Sequence, residues 1–147
     1  MSRRLLALPL VATLLVGGLA PAATLEVRDA WIRLLPADLP AGGYATLRNG
    51  GATPVTLIGA RSPAYGHVML HRSVGTHGME TMMPVARLTV PAHGTVALAP
   101  GGYHLMLMHP VRAVSPGQRV TLTLLYSDGS VQSVEFLARP ANATGPR

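Results

Sequence analysis

The 147-residue chain contains no cysteine. That excludes a disulfide framework, a thiolate nucleophile and any thiolate-ligated metal centre. Lysine is missing too: all twelve basic residues are arginines, and they are scattered rather than clustered. Only six residues are aromatic. With no basic cluster to follow a phosphate backbone and few rings to stack bases, nucleic acid is excluded as a partner. Acids are sparse as well, Glu80 being the lone carboxylate between Asp38 and Asp128. Beyond the first two dozen residues no 3.6-residue apolar periodicity is sustained, which argues against a helical fold.

The start of the chain reads as an export signal. "MSRRLLALPLVATLLVGGLAPAA" has basic Arg3 and Arg4, an apolar run from Leu5 to Leu19 and small residues at Ala20 and Ala22, the three parts of a secretory leader. The run falls short of the roughly 20 residues that span a bilayer. Cleavage is expected near Ala22/Ala23, which leaves a mature chain in the periplasm or on the extracytoplasmic face of the cell envelope, with no stable membrane insertion. No cysteine follows the leader to accept a lipid. Losing the two leader arginines takes the formal net charge from +6 to +4. The remaining residues suffice for one domain with a sizeable core.

Nine short β-rich runs come after the leader: 24–35, 44–49, 55–61, 67–72, 82–90, 95–100, 103–109, 118–126 and 130–138. Between them lie Gly- and Pro-bearing turns such as "PAHG", "PGG" and "SPGQ", and "LLYSDGSVQ" reads as a β-hairpin. Eight or nine strands at this spacing predict an all-β, single-domain, antiparallel barrel or sandwich over 23–139. The polar, Pro-rich residues 140–147 are expected to be a disordered tail.

Two strands carry the chemistry. In "YHLMLMH" (103–109), His104, Met106 and Met108 alternate with Tyr103, Leu105 and Leu107, so the first three share one face. In "HVMLHR" (67–72), His67, Met69 and His71 share a face in the same way. Every methionine but the initiator, and all six histidines, fall between residues 67 and 109. A single Met fills a core gap and a single His is commonly structural, but a core does not interleave imidazoles with thioethers. Thioether sulfur is soft and stays neutral, and together with imidazole it selects copper, above all Cu(I). Zinc favours thiolate, imidazole and carboxylate, and carboxylate is nearly absent here. A blue-copper centre needs a thiolate and is excluded.

His71, ten residues, Met82, twenty-one residues, His104, one residue and Met106 form an H-x10-M-x21-H-x-M pattern. This pattern, with "LAPGGYHLMLM", resembles the signature of the periplasmic copper(I) chaperones known as PCuAC. "AWIRLLP", "YATLRNGG", "LHRSVGTHGMETMMPV" and "GQRVTLTLLYSDG" extend the likeness over most of the mature chain. The resemblance implies a cupredoxin-like fold holding one Cu(I) near solvent through His71, Met82, His104 and Met106. It also implies delivery to the dinuclear copper site of cytochrome c oxidase subunit II, other copper chaperones being further partners. His109-Pro110 departs from the pattern and is expected to bring an extra imidazole near the rim of the site. His67, Met69, His77 and Met79 are expected as second-sphere or weak Cu(II) positions. Copper storage or detoxification, a copper redox enzyme, and an exported structural β-module are the rival readings. The enzyme reading finds little acid–base equipment, since only Glu80 and Tyr103 are at hand.

Overall fold

The computed structural model describes residues 24–76 and 79–147; the leader and His77 lie outside them. Ten strands form in chain order: β1 (Glu26–Arg33), β2 (Ala41–Arg48), β3 (Val55–Arg61), β4 (Tyr65–Thr76), β5 (Met79–Pro84), β6 (Leu88–Val90), β7 (Thr95–Leu98), β8 (Tyr103–Pro110), β9 (Arg119–Tyr126) and β10 (Val131–Arg139). They make one sheet in the order β5-β4-β8-β7-β2-β1-β10-β9-β3-β6, with β8 also pairing β2. Among the described residues there is no helix.

The fold is the expected all-β domain, with corrections in detail. The run at 82–90, expected as one strand, is two: β5 pairs with β4 and β6 pairs with β3, at opposite ends of the sheet. Pro84 closes β5, as expected of a residue that cannot donate to a ladder. The sheet is also not wholly antiparallel, because β1 runs parallel to β10 and one parallel bridge joins β7 to β8. The open sheet curls on itself, since inward residues from both of its ends enter one core. Leu57 of β3, Val68 and Leu70 of β4, Leu105 and Leu107 of β8, Val120, Leu122 and Leu124 of β9 and Phe136 of β10 all belong to that cluster.

Two polar residues tie down the loops. Asn49, 2% exposed, donates to the carbonyls of Thr53 and Val90 at 2.7 and 3.2 Å, and its Oδ1 accepts from Gly51 N–H at 2.9 Å. Half-buried Gln132 clamps the start of the chain by exchanging hydrogen bonds with both backbone groups of Leu25, and its Oε1 also accepts from the Tyr126 hydroxyl at 2.6 Å. Burial pushes that Tyr126 hydroxyl up to about 12. The tail expected to be disordered is placed against the body: Ala143 is buried in a second small cluster with Trp31 and Tyr44.

Strand β1 is interrupted where it approaches β2. The register between the two shifts between Arg28 and Trp31, and Asp29 there has a φ of 51°. Asp tolerates the left-handed region better than most residues, so β1 gains one extra residue as a bulge. The bulge turns Trp31 and Arg33 to the outer face while Ile32, wholly buried, enters the core.

Leu107→Ala removes a fully buried side chain and should cost about 2–5 kcal/mol, read as a lower urea midpoint at unchanged slope.

Candidate metal centre

The central pair of the site is set by backbone register. β4 and β8 run antiparallel with His71 opposite His104, Met69 opposite Met106 and His67 opposite Met108. Directly opposed residues project to the same face, so all six stand together on the outer face. The inner face of the same strands carries Val68, Leu70, Leu105 and Leu107. The alternation expected from the sequence is therefore realised, and the two strands are hydrogen-bonded neighbours.

His71 and His104 are buried even though they face outward, at 8% and 4% exposure. Their ring centroids are 5.9 Å apart and the rings meet edge to face. The His104 Nδ1 lies 3.0 Å from the Gly102 carbonyl oxygen, which can only accept, so Nδ1 carries the proton and Nε2 presents its lone pair. That Nε2, and both ring nitrogens of His71, are buried without a hydrogen-bond partner. Leaving a buried polar atom unpaired costs about 1–3 kcal/mol. A bound cation would satisfy one lone pair on each ring, His104 Nε2 and one of the two His71 nitrogens. Burial, and then the neighbouring His104, hold His71 below the ordinary imidazole range, which keeps its ring neutral and able to donate a lone pair to a metal.

The Gly102 carbonyl also accepts from Ser73 N–H at 3.1 Å, so one backbone oxygen fixes both the His104 ring and the start of the β4–β5 arm. Gly101 makes the turn before it possible with a φ of 81°, a conformation suited to glycine.

β5 brings Met82 to the same side. Ser73 is opposite Met82, and Gly75 is opposite Glu80, so Met82 and Glu80 share the face of His71. Met82 is 52% exposed and lines a cavity of about 300 Å³ with His104, Tyr44, Arg33 and Glu80. Met83 and Met79 are opposite Arg72 and Thr76 and so project from the other side of the arm. This parity puts Met82, and not Met83, on the His71 side of the arm. Met106 is half-buried, two residues beyond His104 on the same face, and is not among the residues lining that cavity.

An aromatic wall closes the β2 side. Trp31 and Tyr44 stack at 4.8 Å, and Tyr44 lies 6.4 Å from the His104 ring. The Arg33 guanidinium sits over both of the wall's rings and donates to the Tyr44 hydroxyl at 3.1 Å. Gly42 leaves room for the ring, since a Cβ at that position would come within 2.5 Å of the Tyr44 hydroxyl and displace it. Sequence reasoning does not single out these wall residues, because the Asp29 bulge that turns Trp31 and Arg33 outward leaves no mark on the apolar pattern. His109, expected near the rim, is exposed at the opposite end of β8 from the His71–His104 pair.

The LpqE-like family, described as "Putative lipoprotein LpqE-like", matches residues 25–138. The chain belongs to that family. "Putative lipoprotein Lxx21020" of Leifsonia xyli subsp. xyli is 34% identical over 110 residues, which cover 74% of this chain. The match spans only 66% of that relative's length. Among solved structures, the Cu(I) form of DR1885 from Deinococcus radiodurans is 32% identical with a TM-score of 0.65, covering 87% of this chain and 85% of its own. The metal-free PCuAC domain of PmoF2 superposes with a TM-score of 0.68 at 21% identity, over 85% of this chain and 97% of that one. The LpqE-like chain thus has the PCuAC fold.

The buried His71 ring makes the stability of the metal-free LpqE-like protein depend on pH. Its imidazole takes up a proton less readily folded than unfolded, so the unfolded state binds more protons below about pH 6.5 and stability must rise with pH through that window. Urea midpoints measured on either side of the window should show the slope, and His71→Leu should reduce it.

Proposed function

We propose that this protein is an exported copper carrier that binds one Cu(I) through His71, Met82, His104 and Met106 and passes it to an acceptor. One observation carries the reading: three buried imidazole nitrogens without partners, on His71 and His104, on the face that also presents Met82 and Met106. Nothing about these donors suits a hard ion, and no carboxylate cluster stands among the described residues. Imidazole with thioether suits Cu(I). The Cu(I) form of DR1885, a relative 32% identical over most of this chain, supports the same metal. The lipoprotein description of the family supports a place in the cell envelope, although this chain has no cysteine to carry a lipid.

A carrier must hold its ion firmly enough to exclude rivals and loosely enough to lose it to a client. Two buried rings give the first property and an exposed Met82 gives the second. Transfer is then ligand exchange: an acceptor thiolate displaces an exposed thioether, and the imidazoles release last. No electron moves, and no acid or base is needed, so the role is that of a chaperone and not an enzyme. The client expected from the PCuAC likeness is the dinuclear copper site of cytochrome c oxidase subunit II, whose thiolates outcompete this donor set.

Anaerobic Cu(I) titration against a competing chelator tests the reading. Wild type should take up one tight equivalent. His71→Ala, His104→Ala, Met82→Ala and Met106→Ala should each weaken it by at least the roughly 10–100-fold typical of losing even an outer-shell partner. Four variants that all bind as tightly as wild type would sink the assignment.

A further inference from the structure

The His71–His104 pair is the last rung of a longer ladder. Two more rungs continue it along β4 and β8: Met69 opposite Met106, then His67 opposite Met108. All six residues on these rungs are His or Met. The outer face of a strand pair in water is ordinarily Thr, Lys, Arg or Glu, and these two strands carry no such residue at those positions. The proposed Cu(I) set uses only the His71–His104 rung, Met106 and Met82. His67, Met69 and Met108 are left over.

Their exposure grades along the ladder. His71 and His104 are buried, Met69, Met106 and Met108 are half-buried, and His67 is exposed. His67 and Met69 also line a cavity of about 340 Å³ with Ile58, Pro84 and Val85, separate from the one lined by His104 and Met82. Successive rungs on one face are two residues apart, about 6.6–6.8 Å. An unbranched Met side chain with three rotatable bonds can swing between neighbouring rungs over much of that distance.

We infer that His67, Met69 and Met108 form a second, weaker Cu(I) site at the solvent end of the ladder, from which the ion passes by way of Met106 to the His71–His104 pair. One imidazole and two thioethers again select Cu(I) over hard ions and over zinc. The step is ligand exchange with copper remaining Cu(I): each new Cu–S or Cu–N contact replaces one left behind. The middle rung joins the two sites, Met69 belonging to the outer one and Met106 to the inner, so the ion passes between facing thioethers. The inference rests on the copper-carrier reading, because an entry site matters only if the inner pair binds copper.

The test is an anaerobic Cu(I) titration of the protein against a graded set of competing chelators. Wild type is compared with the triple variant His67→Ala, Met69→Leu, Met108→Leu. The two Leu replacements remove sulfur while nearly conserving volume, and His67 is exposed, so the fold should survive. Retention of the tight equivalent in the variant is the internal check of folding. Two equivalents in wild type, the second weaker, with only the tight one left in the variant, is the expected result. A single equivalent in wild type, or two in the variant, would overturn the second site and leave the carrier reading standing. No tight equivalent in wild type would overturn the carrier reading itself, and this inference with it.

Discussion

The register between β4 and β8 is the constraint on which every donor position depends. Seven register pairs join the two strands, from Tyr65 opposite Pro110 to Arg72 opposite Tyr103. Side chains alternate with a period of two, so a slip of one residue would send His104, Met106 and Met108 into the core and bring Leu105 and Leu107 out to water. What opposes that slip is the burial of Leu105, Leu107, Val68 and Leu70 in the core. Hydrophobic burial on one face therefore fixes the donors on the other. The core sets the geometry of the site from the far side of the sheet.

The outer face then has to solve a different problem. Two imidazoles side by side, largely out of water, are unfavourable for the metal-free fold, and burial with the second ring holds His71 neutral. What keeps them there is structure on either flank. The Gly102 carbonyl orients His104, and the Trp31–Tyr44 wall, held by Arg33 and by Ala143 of the tail, covers the β2 side. Orientation by a backbone carbonyl leaves Nε2 as the donor atom, the usual way a histidine tautomer is fixed for a metal. A bulge at Asp29 and a glycine at position 42 make room for the arrangement.

Much of this is legible in the sequence, because strands report their faces through alternation. His104, Met106 and Met108 on one side and Leu105 and Leu107 on the other can be read directly, as can His67, Met69 and His71. The pairing of those two strands cannot, since alternation assigns faces but not neighbours. The single run at 82–90 divides into two strands although Val85–Arg87 carry no turn signal beyond Pro84; the chain there crosses from one end of the sheet to the other. Trp31 is hidden by the bulge, which reverses parity at a residue, Asp29, that looks like any other polar position. His109 is close to His104 in sequence and not in space. Five residues of extended strand put it about 16 Å away.

The candidate ligands differ most in what it costs to move them. His71 and His104 lie over the core strands, where displacement would disturb the packing of Leu70 and Leu105 beneath. Met82 lies on β5, every residue of which is exposed. That strand is held by its six register pairs to β4 and buries no side chain of its own. Local opening scales with the buried apolar contacts it must break, so the Met82 end of the site opens at the lowest cost. In the proposed carrier role, a soft, neutral thioether on an arm without a core of its own would be the ligand that an incoming thiolate displaces first. The absence of cysteine completes the logic. Under that reading, a thiolate in this chain would compete with a thiolate acceptor for Cu(I), and in an oxidising compartment it would be open to disulfide formation. Imidazole and thioether avoid both outcomes, which in the proposed role would leave the direction of transfer to be set by the difference in ligand strength between carrier and client.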